Sequence, residues 1–350
     1  MLERNANTKR SAGADWRLIQ AIALFAFVVV VWGLNWIITK MIVGHVTPLW
    51  AISIRTGIAV VVFIPMLVAT RQFVVPRRGD VPIILVISVF HMVAFSALTA
   101  AGLKYVTVGR SIVLGYTTPL WVAPAAWILL KEPMPPTRIF GIVLGLAGLL
   151  FMFNSRSFDW HDGQALFGNG LLLLAALSWS VSILYTRAHR WLSTPFQLVL
   201  WEALLATGIL TLLAVVFEGP PRITWTAELS LAFAYSGIVS TALGYWAMTV
   251  VNRRVPATTT SLGILATPVF GIAASTLFLG ERLDADLITA AAMILFGIAI
   301  GTTNLLQARP SPSEDTDQAF AIPRLSEAQD PPRAAQKYTP STTKPETRSD

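Results

Sequence analysis

The feature that most constrains this chain is a succession of long apolar blocks, with the charges gathered between them. The blocks lie at about 18–40, 49–69, 81–103, 107–130, 138–153, 168–189, 196–217, 229–251, 256–279 and 287–306. A bilayer core takes about 20 apolar residues per helix, so the pattern predicts ten transmembrane helices, the block at 138–153 being the shortest. Blocks this long argue against a β-barrel, whose strands run to about ten residues and alternate in polarity. Charged residues make up 13% of the chain and hydrophobic ones 54%, against roughly 25% charged in a soluble protein. Ten buried helices cannot be wrapped in so little polar surface. An all-α integral membrane protein in contact with lipid is expected.

The segments outside the blocks read differently. Residues 1–17 carry Arg4, Lys9, Arg10 and Arg17 and show no cleavage pattern before the first block, so they read as a cytoplasmic leader into a retained helix. Residues 307–350 are rich in Pro, Ser, Thr and charge, and are expected to form a disordered cytoplasmic tail. Connections placed inside by a cytoplasmic N-terminus hold Arg71, Arg77, Arg78, Lys131, Arg138, Arg187, Arg190, Arg253 and Arg254. The opposite connections hold fewer basic residues, so both termini are expected in the cytoplasm. Juxtamembrane Lys and Arg account for the net charge of +7, and no nucleic-acid partner is needed to explain it. The absence of cysteine excludes disulfides, thiolate metal sites and cysteine nucleophiles.

The second half repeats the first. Trp32, Thr39, Lys40 and Pro48 return as Trp179, Thr186, Arg187 and Pro195, 147 residues on; Lys104, Pro119 and Glu132 return as Arg253, Pro268 and Glu281 after 149. The chain therefore reads as a five-helix unit at 18–153, an outer connection at 154–167, and a second unit at 168–306. An odd number of crossings turns the second unit upside down. Such inverted repeats are the usual frame for alternating access around a mid-depth site.

These stretches also carry a resemblance. "WGLNWIITK" in the first helix, "PLWAISIRTG" in the second, "GLKYVTVGRSIVLGYTTPLWVAPAAWILLKEP" across the third and fourth, and "ATTTSLGILATPVFGIAASTLFLGERL" in the ninth resemble the EamA family of the drug/metabolite transporter superfamily. The resemblance spans about residues 18–306. It implies an inner-membrane carrier exporting amino acids or related small metabolites without nucleotide hydrolysis, hence without a cofactor. Arg110 stands where that family usually has a small or apolar residue.

Candidate site residues follow from polarity at depth. Trp32, Asn35 and Thr39 share one face of the first helix, and Trp179, Ser182 and Thr186 repeat it, with Tyr185 alongside. Trp32 lies too deep for an interfacial belt, and cavity lining is the expected role. His91 sits near mid-depth in the third helix with Phe95 one turn on; an ionisable group there usually faces a bundle interior or an aqueous path. Its repeat partner is Ser240, followed by Tyr245 and Trp246. Tyr116 lies deep in the fourth helix. Arg55 and Glu202 occupy matching places in helices two and seven. They are expected to snorkel to opposite headgroup layers, although Glu202, the one acid well inside a block, also qualifies as a proton-coupling carboxylate. Arg110 reads either as a snorkelling residue or as a partner for a substrate carboxylate. Pro119 and Pro268 remove helix hydrogen bonds at mid-membrane, at a hinge or a static kink. Glu132 and Glu281 end their helices as structural corner pieces, able to accept from loop amides or pair with Lys131 or Arg282. Glycines in helices five and ten read as packing seams.

The expected activity is secondary export of a small amino acid-like molecule, with protons as a possible exchange partner. A multidrug exporter would use the same aromatic side chains. No HExxH, GxSxG or paired-carboxylate pattern supports an intramembrane enzyme.

Overall fold

The computed structural model describes residues 2–153, 160–255, 260 and 263–303, and among them the chain is helical with no β-strand. The helices are α1 (Leu2–His45) and α2 (Pro48–Ala69), α3 (Arg78–Gly102) and α4 (Val108–Leu130). Then come α5 (Pro136–Phe153), α6 (Gly163–Ala188) and α7 (Pro195–Glu218), α8 (Ala227–Arg254), α9 (Ala266–Leu279) and α10 (Ala285–Thr303). Helices α1 to α8 are long and apolar enough to cross a membrane, α1 over Ile19–His45. The eight include α5, built on the shortest predicted block. Helix α9 and, over Ala285–Gly301, helix α10 form shorter apolar segments. The predicted tail and the start of the ninth block lie outside the described residues.

Local chemistry sets the helix boundaries. Proline occupies the first helical position of α2 and α7, where its missing N–H costs nothing. Thr194 and Gln197 cap α7 reciprocally, and Asp162 accepts from Gln164 N and Ala165 N at 3.0 Å to begin α6. Helix α4 ends on Lys131 at φ 56° and α9 on Gly280 at φ 64°. This left-handed stop places the following Glu132 and Glu281 clear of their helices. The duplicated Lys-Glu and Gly-Glu dipeptides therefore do the same local job.

Two helix pairs hold the body together by close approach. In α5 and α10 the backbones touch: a methyl built on Gly141 would meet Gly297 O and lie 2.8 Å from Gly301 N, and one on Gly148 would lie 3.0 Å from Ala290 O. Helices α2 and α7 run antiparallel, with Ser53 Oγ 2.7 Å from Thr211 Oγ1 and Gly57 facing Thr207. Large apolar residues such as Leu150, Phe217 and Leu277 face outward, 71%, 75% and 81% exposed. A water-soluble protein does not leave so many uncovered.

Hydrogen bonds sort the helix ends into two sets. At one, Glu281 accepts from Val108 N (2.7 Å) and Gly109 N (3.0 Å). There too, Glu218 accepts from Leu49 N (2.9 Å) and Trp50 N (3.1 Å), and Lys40 Nζ donates to Leu103 O and Val106 O. At the other, Glu132 pairs with Arg138 (3.2 Å) and Arg187 (3.0 Å), and Ser193 Oγ donates to Asp80 (2.9 Å). The corner residues thus bridge the two halves. Neither pairs with Lys131 or Arg282, as the sequence had allowed; Glu281 caps α4 and Glu132 holds two arginines.

Candidate functional site

Two stretches take π-helical winding, and both lie beside the site. Residues Ile87–Phe95 of α3 and Tyr235–Leu243 of α8 are π-helical, at positions 148 residues apart. A π turn widens the helix and leaves carbonyls for outside donors. Here Trp32 Nε1 donates to Ser240 O at 3.1 Å and Ser178 Oγ to Phe90 O at 2.8 Å. Each π segment is thereby tied to the first helix of the opposite half. Asn35 Oδ1 accepts from Ser236 Oγ at 2.8 Å, which pins the polar face of α1 on α8.

Between these segments lies a central cavity of about 200 Å3, lined mainly from α1, α2, α3 and α8. Two side chambers share its walls. One, of about 310 Å3, adjoins at His91, Trp179 and Tyr245; the other, of about 420 Å3, adjoins at Trp32, Tyr116 and Trp179. Both side chambers reach Arg187, at the Glu132 end. Towards the Glu281 end the lining stops at Thr39 and Leu103, beneath the Lys40, Glu218 and Glu281 contacts.

An aromatic cluster forms one wall. The His91 ring stacks on Trp179 with centroids 5.3 Å apart and planes at 7°. Phe95 packs 4.8 Å from Trp179, and Tyr245 stands 6.4 Å from His91 and 6.0 Å from Trp32. Such pairs contribute about 0.5–1.5 kcal/mol beyond area burial and offer flat faces to a bound ring or chain. The sequence-predicted Trp32, Asn35, His91, Phe95, Tyr116, Trp179 and Ser240 all line the central cavity, and Ser182 lines the side chamber.

Other placements correct the sequence reading. Tyr185 is exposed on α6 and stacks on His189 at 5.8 Å, lining none of these chambers. Trp246 packs against the main apolar core and lines none of the chambers; its neighbour Tyr245, turned by about 100° around the helix, packs there too but also lines the cavity. Arg110 lies outside the chambers and donates from Nη2 to Met152 O at 2.8 Å. Arg55 and Glu202 do not snorkel. Arg55 lines the central cavity and donates to Ser96 Oγ at 3.0 Å. Glu202 is 4% exposed and lines the side chamber, with Oε1 buried and unbonded.

The prolines mark helix breaks. Helix α4 is interrupted at Tyr116–Thr117, and α9 begins after a turn at Ile264–Leu265. Pro119 cannot bond to Gly115 O, and the Thr118 hydroxyl takes that carbonyl at 2.8 Å. Pro268 leaves Ile264 O, which accepts from Thr267 N at 3.0 Å. Each break is therefore satisfied locally, and Tyr116 reaches the cavity from one of them.

The chain matches known proteins over about four-fifths of its length. The profile of the EamA-like transporter family matches residues 19–154 and 166–303, one copy in each half. The chain is 25% identical over 275 residues to the "Uncharacterized transporter YoaV" of Bacillus subtilis (strain 168), covering 79% of this chain and 94% of that one. It is 27% identical over 289 residues to a "Probable amino-acid metabolite efflux pump" of Salmonella typhimurium, covering 79% and 93%. A solved crystal structure, 19% identical, superposes with a TM-score of 0.57 over 83% of this chain and 99% of the other, a likeness of fold. On the family match in both halves, this chain belongs to the EamA-like transporter family.

Proposed function

We propose that the protein is a secondary transporter that exports small amino acid-like metabolites by alternating access, through ten crossings arranged as two inverted five-helix repeats. The observation that carries this is the central cavity, built where matching elements of the two halves meet and enclosed by apolar helices. Contacts that recur with partners exchanged support the inversion. Gly33 approaches Thr267 O, and Ser180, its repeat equivalent, donates to Thr118 O, the equivalent of Thr267 O. Likewise Gly237 approaches Arg55 O, while Ser88 donates to Glu202 O. A two-fold axis generates this reciprocity. On this reading the Glu281 end faces outward and is shut, and the side chambers lead to the cytoplasm. The basic connections support that orientation, and the Salmonella relative's printed name supports efflux of amino-acid metabolites.

Reconstitution in proteoliposomes with exchange of labelled amino acids tests the reading directly. His91→Ala and Trp179→Ala are each expected to raise the apparent KM up to about tenfold, the worth of one aromatic contact. Unchanged exchange in both variants, with normal insertion, would remove the cavity from the substrate path.

Glu202 fits proton coupling: a membrane-embedded carboxyl facing a chamber, with no basic group bonded to it among the described residues. Glu202→Gln is expected to abolish exchange driven by a pH gradient while leaving gradient-free exchange intact. Equal pH-driven rates in variant and wild type would take Glu202 out of the coupling role.

A further inference from the structure

Resting on the transporter reading, we propose that Arg55 is a carboxylate anchor, and that the site takes small molecules carrying a carboxylate on an apolar or aromatic body. The guanidinium is always charged and has five N–H donors in a fixed fork. Here one hydrogen bond is made, to the neutral Ser96 hydroxyl, and Nε is buried with no partner. No aspartate or glutamate lines the central cavity. A charge held in a membrane interior without a counter-ion is costly. Among the described residues one arginine is fully buried, and it is given a counter-ion although its Nε too has no partner. Arg138, 2% exposed, has Glu132 at 3.2 Å and Pro133 O at 3.0 Å. The contrast marks Arg55 as the cation whose anion comes from outside the chain.

The surroundings define what that anion is attached to. Ser96 and Thr99 line the cavity with Arg55. Ser96 only accepts from Arg55 and the Thr99 hydroxyl is buried with no partner, so both hydroxyls can donate to the remaining lone pairs of a carboxylate. Beyond them stand His91, Phe95, Trp179 and Tyr245, three of which also border the side chamber. A carboxylate seated on Arg55 would let an apolar body lie along the aromatic wall. Arg–carboxylate pairing is bidentate and directional, so this residue would fix the substrate's orientation as well as its charge.

The test uses the full-length protein in detergent and in proteoliposomes, with matched probes: L-phenylalanine against L-phenylalaninamide, and 3-phenylpropionate against 3-phenylpropionamide. The acids are expected to raise the unfolding temperature of the wild type and the amides not to. Apparent affinity for the acids falls about 10- to 100-fold in Arg55→Gln, the loss expected for hydrogen bonds to a charged group. Arg55→Lys and Ser96→Ala give intermediate losses and keep the test decisive where Arg55→Gln fails to insert. No acid–amide difference in the wild type, whether both bind or neither does, overturns the proposal. Exchange of an amide or of tetraphenylphosphonium by the same liposomes would then leave the transporter reading standing without the anchor. Conversely, acid-selective stabilisation with no exchange of any probe would uphold the anchor and count against transport.

Discussion

Replacing Gly141 with leucine is expected to leave almost no folded protein. The α5–α10 seam is backbone against backbone, so the first side-chain carbon already collides with the Gly297 carbonyl and lies 2.8 Å from Gly301 N. Neither obstacle is a side chain that can swing aside. Overpacking ordinary cores costs about 1–3 kcal/mol, and here a whole helix must lift from its partner. The cost for leucine is put at about 3 kcal/mol or more, with alanine lower in the same direction. Small-residue seams matter most in lipid, where helices gain little from burying apolar surface and depend on close van der Waals contact. Gly208→Ala serves as the control, because nothing lies within 4 Å of an added methyl there; that change should be neutral or stabilising by helix propensity. Gel filtration of the detergent-solubilised variants and their thermal unfolding give the measurement. A Gly141→Leu protein with wild-type elution and unfolding temperature would mean that the seam does not hold the two halves together.

The second large effect concerns which end of the cavity is shut. Glu281 and Glu218 each give both carboxylate oxygens to the first N–H groups of a helix in the other half. A carboxylate capping a helix start is worth about 0.5–2 kcal/mol and also benefits from the helix dipole. Removing both, in Glu218→Ala with Glu281→Ala, should withdraw about 2 kcal/mol from the state described here. That corresponds to roughly a 30-fold shift in population. The chain contains no cysteine, so a single cysteine placed at Thr39, in the cavity lining nearest that end, reports without background. Its labelling by a membrane-impermeant thiol reagent from the Glu281 face should rise accordingly. An unchanged labelling rate would show that these caps hold helix ends without closing the path.

Much of this was legible in the residues, and the omissions have physical causes. The apolar blocks fixed where the helices lie because lipid punishes an unsatisfied backbone. The duplication of Trp32, Pro119 and Glu132 pointed to the two halves before any contact was known. Deep polar and aromatic residues on α1, α3 and α6 line the central cavity and the side chamber that adjoins it. Arg55 was misread because depth along a helix says nothing about direction around it: a long side chain can climb to the headgroups or turn inward, and the face of α3 that supplies Ser96 decided. Of the neighbours Tyr245 and Trp246, only Tyr245 lines the cavity, for the same rotational reason. The sequence had no way of announcing the π segments. They lie where α3 and α8 bond to α6 and α1, and the residues of Ile87–Phe95 and Tyr235–Leu243 carry no proline that marks them.

The exchanged contacts between the halves have one more consequence. On the proposed inverted arrangement, identical halves would make the conformations open to either side rotational copies of equal free energy, and neither would be favoured at rest. Arg55 opposite Glu202, His91 opposite Ser240, and a bare glycine where its twin bears a hydroxyl all break that degeneracy. Any standing preference for one side must therefore come from the positions at which the two copies have drifted apart, and swapping those residues between copies is the direct way to reverse it.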